Sequence, residues 1–149
     1  GGWTQVAVER VHPEQSGGRV IAFDLVEIAP IGGAIMLPGD LYDAQALETL
    51  RAAIGGAAHV VLCDMAAPAT GHASTDHLRI VALLETALDF ACEVLSPGGV
   101  FVGKVFKGGT ENTLLAEMKK RFATIKHAKP PSSRKESAET YVVAMGFKG

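Results

Sequence analysis

The run His59-Val60-Val61-Leu62-Cys63-Asp64-Met65-Ala66-Ala67-Pro68 decides how the rest of the chain is read. Four apolar residues lead into an acid, and a small, proline-broken segment follows. A short continuous apolar run of this kind predicts a buried strand of a parallel sheet. Ligands of open α/β sheets bind outside the carboxyl ends of such strands, so Asp64 falls where a site is expected. The competing reading of an isolated acid at a strand end is a loop cap.

Upstream, Arg19 to Leu25 predicts a second buried strand, with Asp24 near its end as Asp64 ends the first. Ala34 to Leu37 is a shorter strand, followed by Pro38-Gly39-Asp40. The spacing of Ala46, Leu47, Leu50 and Ile54 predicts a helix over 43–54, closed by Gly55-Gly56. Gly1-Gly2-Trp3 enters a stretch of helical character, Thr4 to Val11, and a glycine turn there lets backbone approach a ligand. Asp24 lies roughly 20 residues beyond that turn, where an acid commonly binds the ribose hydroxyls of a nucleotide. This feature suits NAD and S-adenosylmethionine equally.

Downstream, Ala66 to Ala73 is a loop, and Ser74 or Thr75 caps a long helix running to about Leu95. Leu78, Val81, Leu84, Leu88, Cys92 and Leu95 form its core stripe. Ser96-Pro97-Gly98-Gly99 reads as a tight turn into the strand Val100 to Phe106. A helix over 111–122, a strand Thr124 to Ala128, a polar loop Lys129 to Ser137 and a last strand Thr140 to Phe147 complete the chain. Strands alternating with helices predict one α/β domain over residues 1–149, a three-layer sandwich.

With 48 % hydrophobic and 20 % charged residues in 149, the composition is that of a globular protein with a real core. No apolar run reaches the roughly 18 residues of a membrane span, and no secretory signal pattern opens the sequence. Cys63 and Cys92 sit in apolar contexts and read as buried hydrophobes of a reducing compartment, so a cytoplasmic location is expected. No Cys or His spacing suits a metal. Charge is unevenly placed: residues 1–99 carry four Arg and no Lys against twelve acids, whereas residues 100–149 carry ten Lys and Arg against four. The C-terminal third therefore suits a polyanion, the alternative being solvated helix faces.

A lysine in a strand commonly snorkels from an edge, but Lys104 interrupts an apolar strand that follows a Pro-Gly-Gly turn and looks central, where an unpaired ammonium is costly. It needs a partner acid, and Asp64 on the neighbouring strand or Glu139 before the last strand would serve. The motifs Gly-Gly-Trp-Thr-Gln, Ile-Ala-Phe-Asp-Leu, Pro-Gly-Asp, Cys-Asp-Met-Ala-Ala-Pro, Gly-Gly-Val-Phe-Val-Gly-Lys-Val-Phe-Lys-Gly and Ser-Ser-Arg-Lys-Glu-Ser-Ala-Glu-Thr-Tyr-Val-Val-Ala occur in that order. Together they resemble the FtsJ/RrmJ family of ribose 2′-O-methyltransferases acting on large-subunit ribosomal RNA, across essentially the whole chain.

The resemblance implies a Rossmann-like methyltransferase fold, S-adenosylmethionine as cofactor, and 2′-O-methylation of a ribose, a uridine in 23S rRNA of the large ribosomal subunit. It implies Asp64, Lys104 and Glu139 as three members of a catalytic tetrad, and Gly1, Trp3, Asp24, Asp40 and Asp64 as cofactor positions. Asp24 is expected at the ribose and Asp40 near the adenine. The family's first lysine and its first central strand would precede Gly1, so the sheet is expected to lack that strand and the chain alone to be weakly active or inactive. The base is expected to be a neutral Lys104; neighbouring carboxylates favour the ammonium, and the further lysine would offset them. Lys107, Lys119, Lys120, Arg121, Lys129, Arg134 and Lys135 are expected on RNA phosphates, Arg134 and Lys135 foremost because they lie near Glu139 in sequence, with salt-sensitive binding. The few aromatics suit a structured RNA more than a free single strand. Two other functions fit the residues alone. A nicotinamide-dependent oxidoreductase shares the sheet and the ribose acid, but His59 and His72 are poorly placed for its chemistry. A non-catalytic RNA-binding or ribosome-assembly module needs only the basic third.

Overall fold

The computed structural model describes residues 7–10, 18–24, 32–63, 73–106, 112–128 and 139–149. The chain falls into two compact units, Gly1–Gly56 and Ala57–Gly149.

In the first unit, residues 7–10 are helical, and strand β1 (Val20–Asp24) pairs in parallel with β2 (Ala34–Pro38), from Val20 opposite Ala34 to Asp24 opposite Pro38. Helix α1 (Ala44–Ile54) begins where the Asp43 carboxylate accepts the Gln45 N–H, at 3.0 Å, satisfying one of the donors a helix start leaves free. It ends at Gly55, whose φ of 66° is left-handed and whose N–H reaches Arg51 O at 3.0 Å. Arg19 Nη1 donates to the carbonyls of Ala53 and Ile54, tying the entry to β1 onto the last turn of α1. Leu50 is buried; Ala46, Leu47 and Ile54 of the expected stripe are half-buried. Gly39 permits a close approach: a Cβ there would stand 2.7 Å from the Phe23 ring and 3.0 Å from Ala46 Cβ.

The second unit holds a four-stranded sheet of order β3-β4-β6-β5, with β3 Ala58–Cys63, β4 Leu95–Phe106, β5 Phe122–Ala128 and β6 Glu139–Phe147. β3 and β4 are parallel, and β6 is antiparallel to both of its neighbours. Helix α2 (Ala73–Val94) joins β3 to β4, and α3 (Asn112–Arg121) leads into β5. Val81, Leu84 and Leu88 of the α2 stripe are buried with Phe101, Val142 and Ala144 of the sheet, and Cys92 is half-buried. Leu114 and Met118 of α3 and Phe122 at the start of β5 are buried, while Lys119, Lys120 and Arg121 are exposed. Phe122 packs on Phe147 with ring centroids 5.4 Å apart.

Two expectations need correction. Ser96-Pro97-Gly98-Gly99 is not a turn between helix and strand but an irregular stretch inside β4. Ala58 pairs with Leu95, the register shifts, and Val60 pairs with Val100. Ser96 Oγ donates to Ala58 O at 3.2 Å, so the excess residues stay pinned to β3. The sheet is mixed: β3 and β4 pair in parallel, as expected of the strand before Asp64, and β5 and β6 pair antiparallel. Finally, β3 is not buried on both faces: Val60 is 54 % and Leu62 45 % exposed. It stands at the end of its sheet, hydrogen-bonded only to β4 among the described strands. Its alternate residues Val61 and Cys63 are half-buried and buried. The described strands thus form two sheets, β1-β2 and β3-β4-β6-β5. Among the described residues no helix is long and apolar enough to cross a membrane, and both cysteines are free.

Candidate active site

β4 lies inside its sheet, between β3 and β6, as the reading of a central strand required. Because β3 and β4 run in parallel, their carboxyl ends lie together, and antiparallel β6 starts at that same end. Along β4 the side chains alternate faces. Phe101 and Gly103 are buried, and a Cβ on Gly103 would collide with Leu84 Cδ1, so this face is the one α2 covers. Lys104 therefore points to the opposite face, where it is half-buried. The glycine lets α2 come close, and the next residue delivers the amine to the other side.

Lys104 stands opposite Tyr141 on β6, and Phe106 opposite Glu139. Directly opposed residues of an antiparallel pair share a face, with Cβ atoms about 4.5–5.5 Å apart, and diagonal neighbours lie about 7–8 Å apart. Glu139 thus occupies the register position diagonal to Lys104. The pairing brings Tyr141, half-buried, against Lys104, a neighbour that sequence spacing did not single out. Asp64 lies outside the described residues; Cys63, just before it, pairs with Gly103, just before Lys104.

In the first unit, Asp24 ends β1 opposite Pro38, and Asp40 follows β2 by two residues at the same end of the parallel pair. The exposed Asp40 carboxylate accepts the Tyr42 N–H through Oδ1 at 2.9 Å, and Asp40 O accepts the Asp43 N–H, also at 2.9 Å. The acid therefore shapes the turn before α1 with one oxygen. Gly1, Trp3, Lys107, Lys129, Arg134 and Lys135 lie outside the described residues. Among the described residues no cluster of His, Cys, Asp and Glu is arranged to hold a metal.

Residues 1–147 match the family described as FtsJ-like methyltransferase. This chain belongs to that family. A relative from Paramagnetospirillum magneticum, named Ribosomal RNA large subunit methyltransferase E, is 61 % identical to this FtsJ-like chain, covering 100 % of it and 62 % of the relative. The chain thus spans about three-fifths of that relative's length. A crystal structure described as a ribosomal RNA methyltransferase from Plasmodium falciparum superposes with a TM-score of 0.85 at 24 % identity, over 100 % of this chain and 82 % of that one. A Streptococcus mutans protein described as a methyltransferase, solved in complex with SAH, gives 0.50 at 15 % identity over 87 % of this chain and 72 % of its own. At such identities the two structures establish the shared Rossmann-like fold.

Proposed function

We propose that the protein to which this FtsJ-like chain belongs transfers a methyl group from S-adenosylmethionine to a ribose 2′-oxygen of large-subunit ribosomal RNA, a uridine of 23S rRNA. The observation that carries this reading is the placement of Lys104, half-buried at the carboxyl end of an inner strand and diagonal to the register position of Glu139. The 61 % identity with a protein named as a large-subunit rRNA methyltransferase supports the substrate class.

The strand-end acids suit the cofactor. Asp24 and Asp40 lie at one end of a parallel strand pair, and carboxylates there accept hydrogen bonds from ribose hydroxyls and adenine amino groups. Gly1, Trp3 and Asp64 complete the set by resemblance. When bound, S-adenosylmethionine supplies an electrophilic methyl group. The chain's own residues do the rest. Lys104 Nζ in its neutral form accepts the proton of the ribose 2′-hydroxyl, and Asp64 and Glu139 orient the amine and stabilise the ammonium that results. Holding the hydroxyl in line converts a bimolecular reaction into an intramolecular one. Lys107, Arg134 and Lys135 hold the RNA phosphates.

The test is nucleoside analysis of large-subunit rRNA incubated with the protein and isotopically labelled S-adenosylmethionine. Label in 2′-O-methyluridine is the expected result. Label on a base, or none with a protein shown to bind the cofactor, would refute the ribose assignment.

A further inference from the structure

The described cations of the C-terminal third do not form one patch. α3 ends, and β5 begins, at the end of the sheet opposite Lys104. Phe122 pairs with Phe147 there, and Lys148 N–H donates to Arg121 O at 2.9 Å. Tyr141, opposite Lys104, precedes Phe147 on β6 by six residues, which is about 20 Å at the strand rise of about 3.3 Å per residue. Lys119, Lys120 and Lys148 are exposed at this far end, and Lys126, also exposed, sits on edge strand β5 opposite Val143, between the two ends.

The described acids of this region sit on α3 and on the last turns of α2. Arg121 bonds Glu117 at 3.3 Å and reaches the thiol of Cys92 on α2, so Glu117 and Arg121 mark the face of α3 turned to α2. Asp89 and Glu93 are exposed on α2 itself. Lys119 lies about 200° round the helix from Glu117, at about 100° per residue, away from that side. Lys120 meets Glu117 at 3.9 Å with its side chain 77 % exposed, a pair worth little in water. Lys119, Lys126 and Lys148 have no ion-pair partner among the described residues. Cations in the last turn of a helix complement its dipole, which accounts for Lys119 and Lys120. It accounts neither for Lys126, in a strand, nor for Lys148, beyond one.

We propose that Lys119, Lys120 and Lys148, with Lys126 on the way to them, form a second phosphate-binding surface that grips a folded RNA up to about 20 Å from the nucleotide held at Lys104. This rests on the reading of RNA as substrate. A protein interface would present an apolar, charge-depleted centre, whereas spaced exposed ammonium groups suit a backbone of regularly repeated phosphates. A substrate must span several base-pair steps to occupy both surfaces, so the second surface selects a structured RNA over a short strand carrying the same target.

The experiment compares the protein with the triple variant K119Q/K120Q/K148Q in binding a protein-free large-subunit rRNA transcript and a short single-stranded oligonucleotide, across a salt series. Loss of each phosphate contact should lower the log–log salt slope by about one. The expected result is a transcript affinity at least about tenfold weaker and a slope lower by about two to three, with oligonucleotide binding unchanged. The charge-retaining variant K119R/K120R/K148R should bind the transcript as the parent does. Parent-like transcript binding and slope in the glutamine variant, or equal loss on both RNAs, would overturn the second surface while leaving RNA recognition intact. A parent protein that binds neither RNA would overturn the RNA reading as well.

Discussion

Lys104 is a single charge inside an otherwise apolar strand, half-buried on the face turned away from α2 and opposite Tyr141. Tyr141 was not legible in the sequence, because which residue of one strand opposes which residue of another depends on register, and the irregular stretch in β4 shows how freely that shifts. The neighbouring Gly103 has its own consequence. An added methyl would meet the buried side chain of Leu84, so Gly103→Ala should cost about 1–3 kcal/mol by overpacking, seen as a lower urea midpoint at unchanged m-value. A neutral result would mean that α2 does not lie against this strand. Cys92 carries the pH dependence. Burial, offset in part by the Arg121 guanidinium, pushes its thiol above the ordinary 9.0. The neutral thiol's contribution is therefore complete below the unfolded pKa and is lost as pH rises past it. Between about pH 8 and about pH 10, the parent should lose more stability than Cys92→Ala; equal losses would contradict this.

At the scale of elements, the alternation of strands and helices was readable from periodicity, and α1, α3, β5 and β6 begin and end within two residues of their expected limits. Burial was harder to read. An apolar run such as Val60-Val61-Leu62-Cys63 looks the same whether one face or both are covered, and only the sheet order shows β3 paired with β4 alone among the described strands. Ser96-Pro97-Gly98-Gly99 has turn composition, yet pairing with β3 on either side keeps it within a strand. Exposed apolar edges invite pairing with other chains. The double variant V60T/L62T should therefore reduce self-association of this chain in light scattering. Both side chains are about half exposed, so the unfolding free energy should change by less than about 1 kcal/mol. A loss of several kcal/mol would show that both are covered in solution.

Across the whole molecule, the split of charge between residues 1–99 and 100–149 pointed to a polyanion before any fold was known. Among the described residues these cations lie toward both ends of one sheet, Lys104 at one and Lys119, Lys120, Arg121 and Lys148 at the other, which composition alone does not reveal. The acids expected at the cofactor, Asp24 and Asp40, belong to the first unit, and Lys104 and Glu139 to the second. The family match and the order of motifs join these into one FtsJ-like chain.

The most direct measurement is single-turnover methyl transfer to large-subunit rRNA by the protein and its Lys104→Met variant, with S-adenosylmethionine binding measured on both by calorimetry. Removing the base should slow transfer by about 10²–10⁴-fold while cofactor affinity stays within about twofold, because Asp24 and Asp40, proposed for the cofactor, belong to the first unit. Transfer by the variant at the parent's rate, with the same cofactor affinity, would contradict the assignment of Lys104 and with it the proposed mechanism.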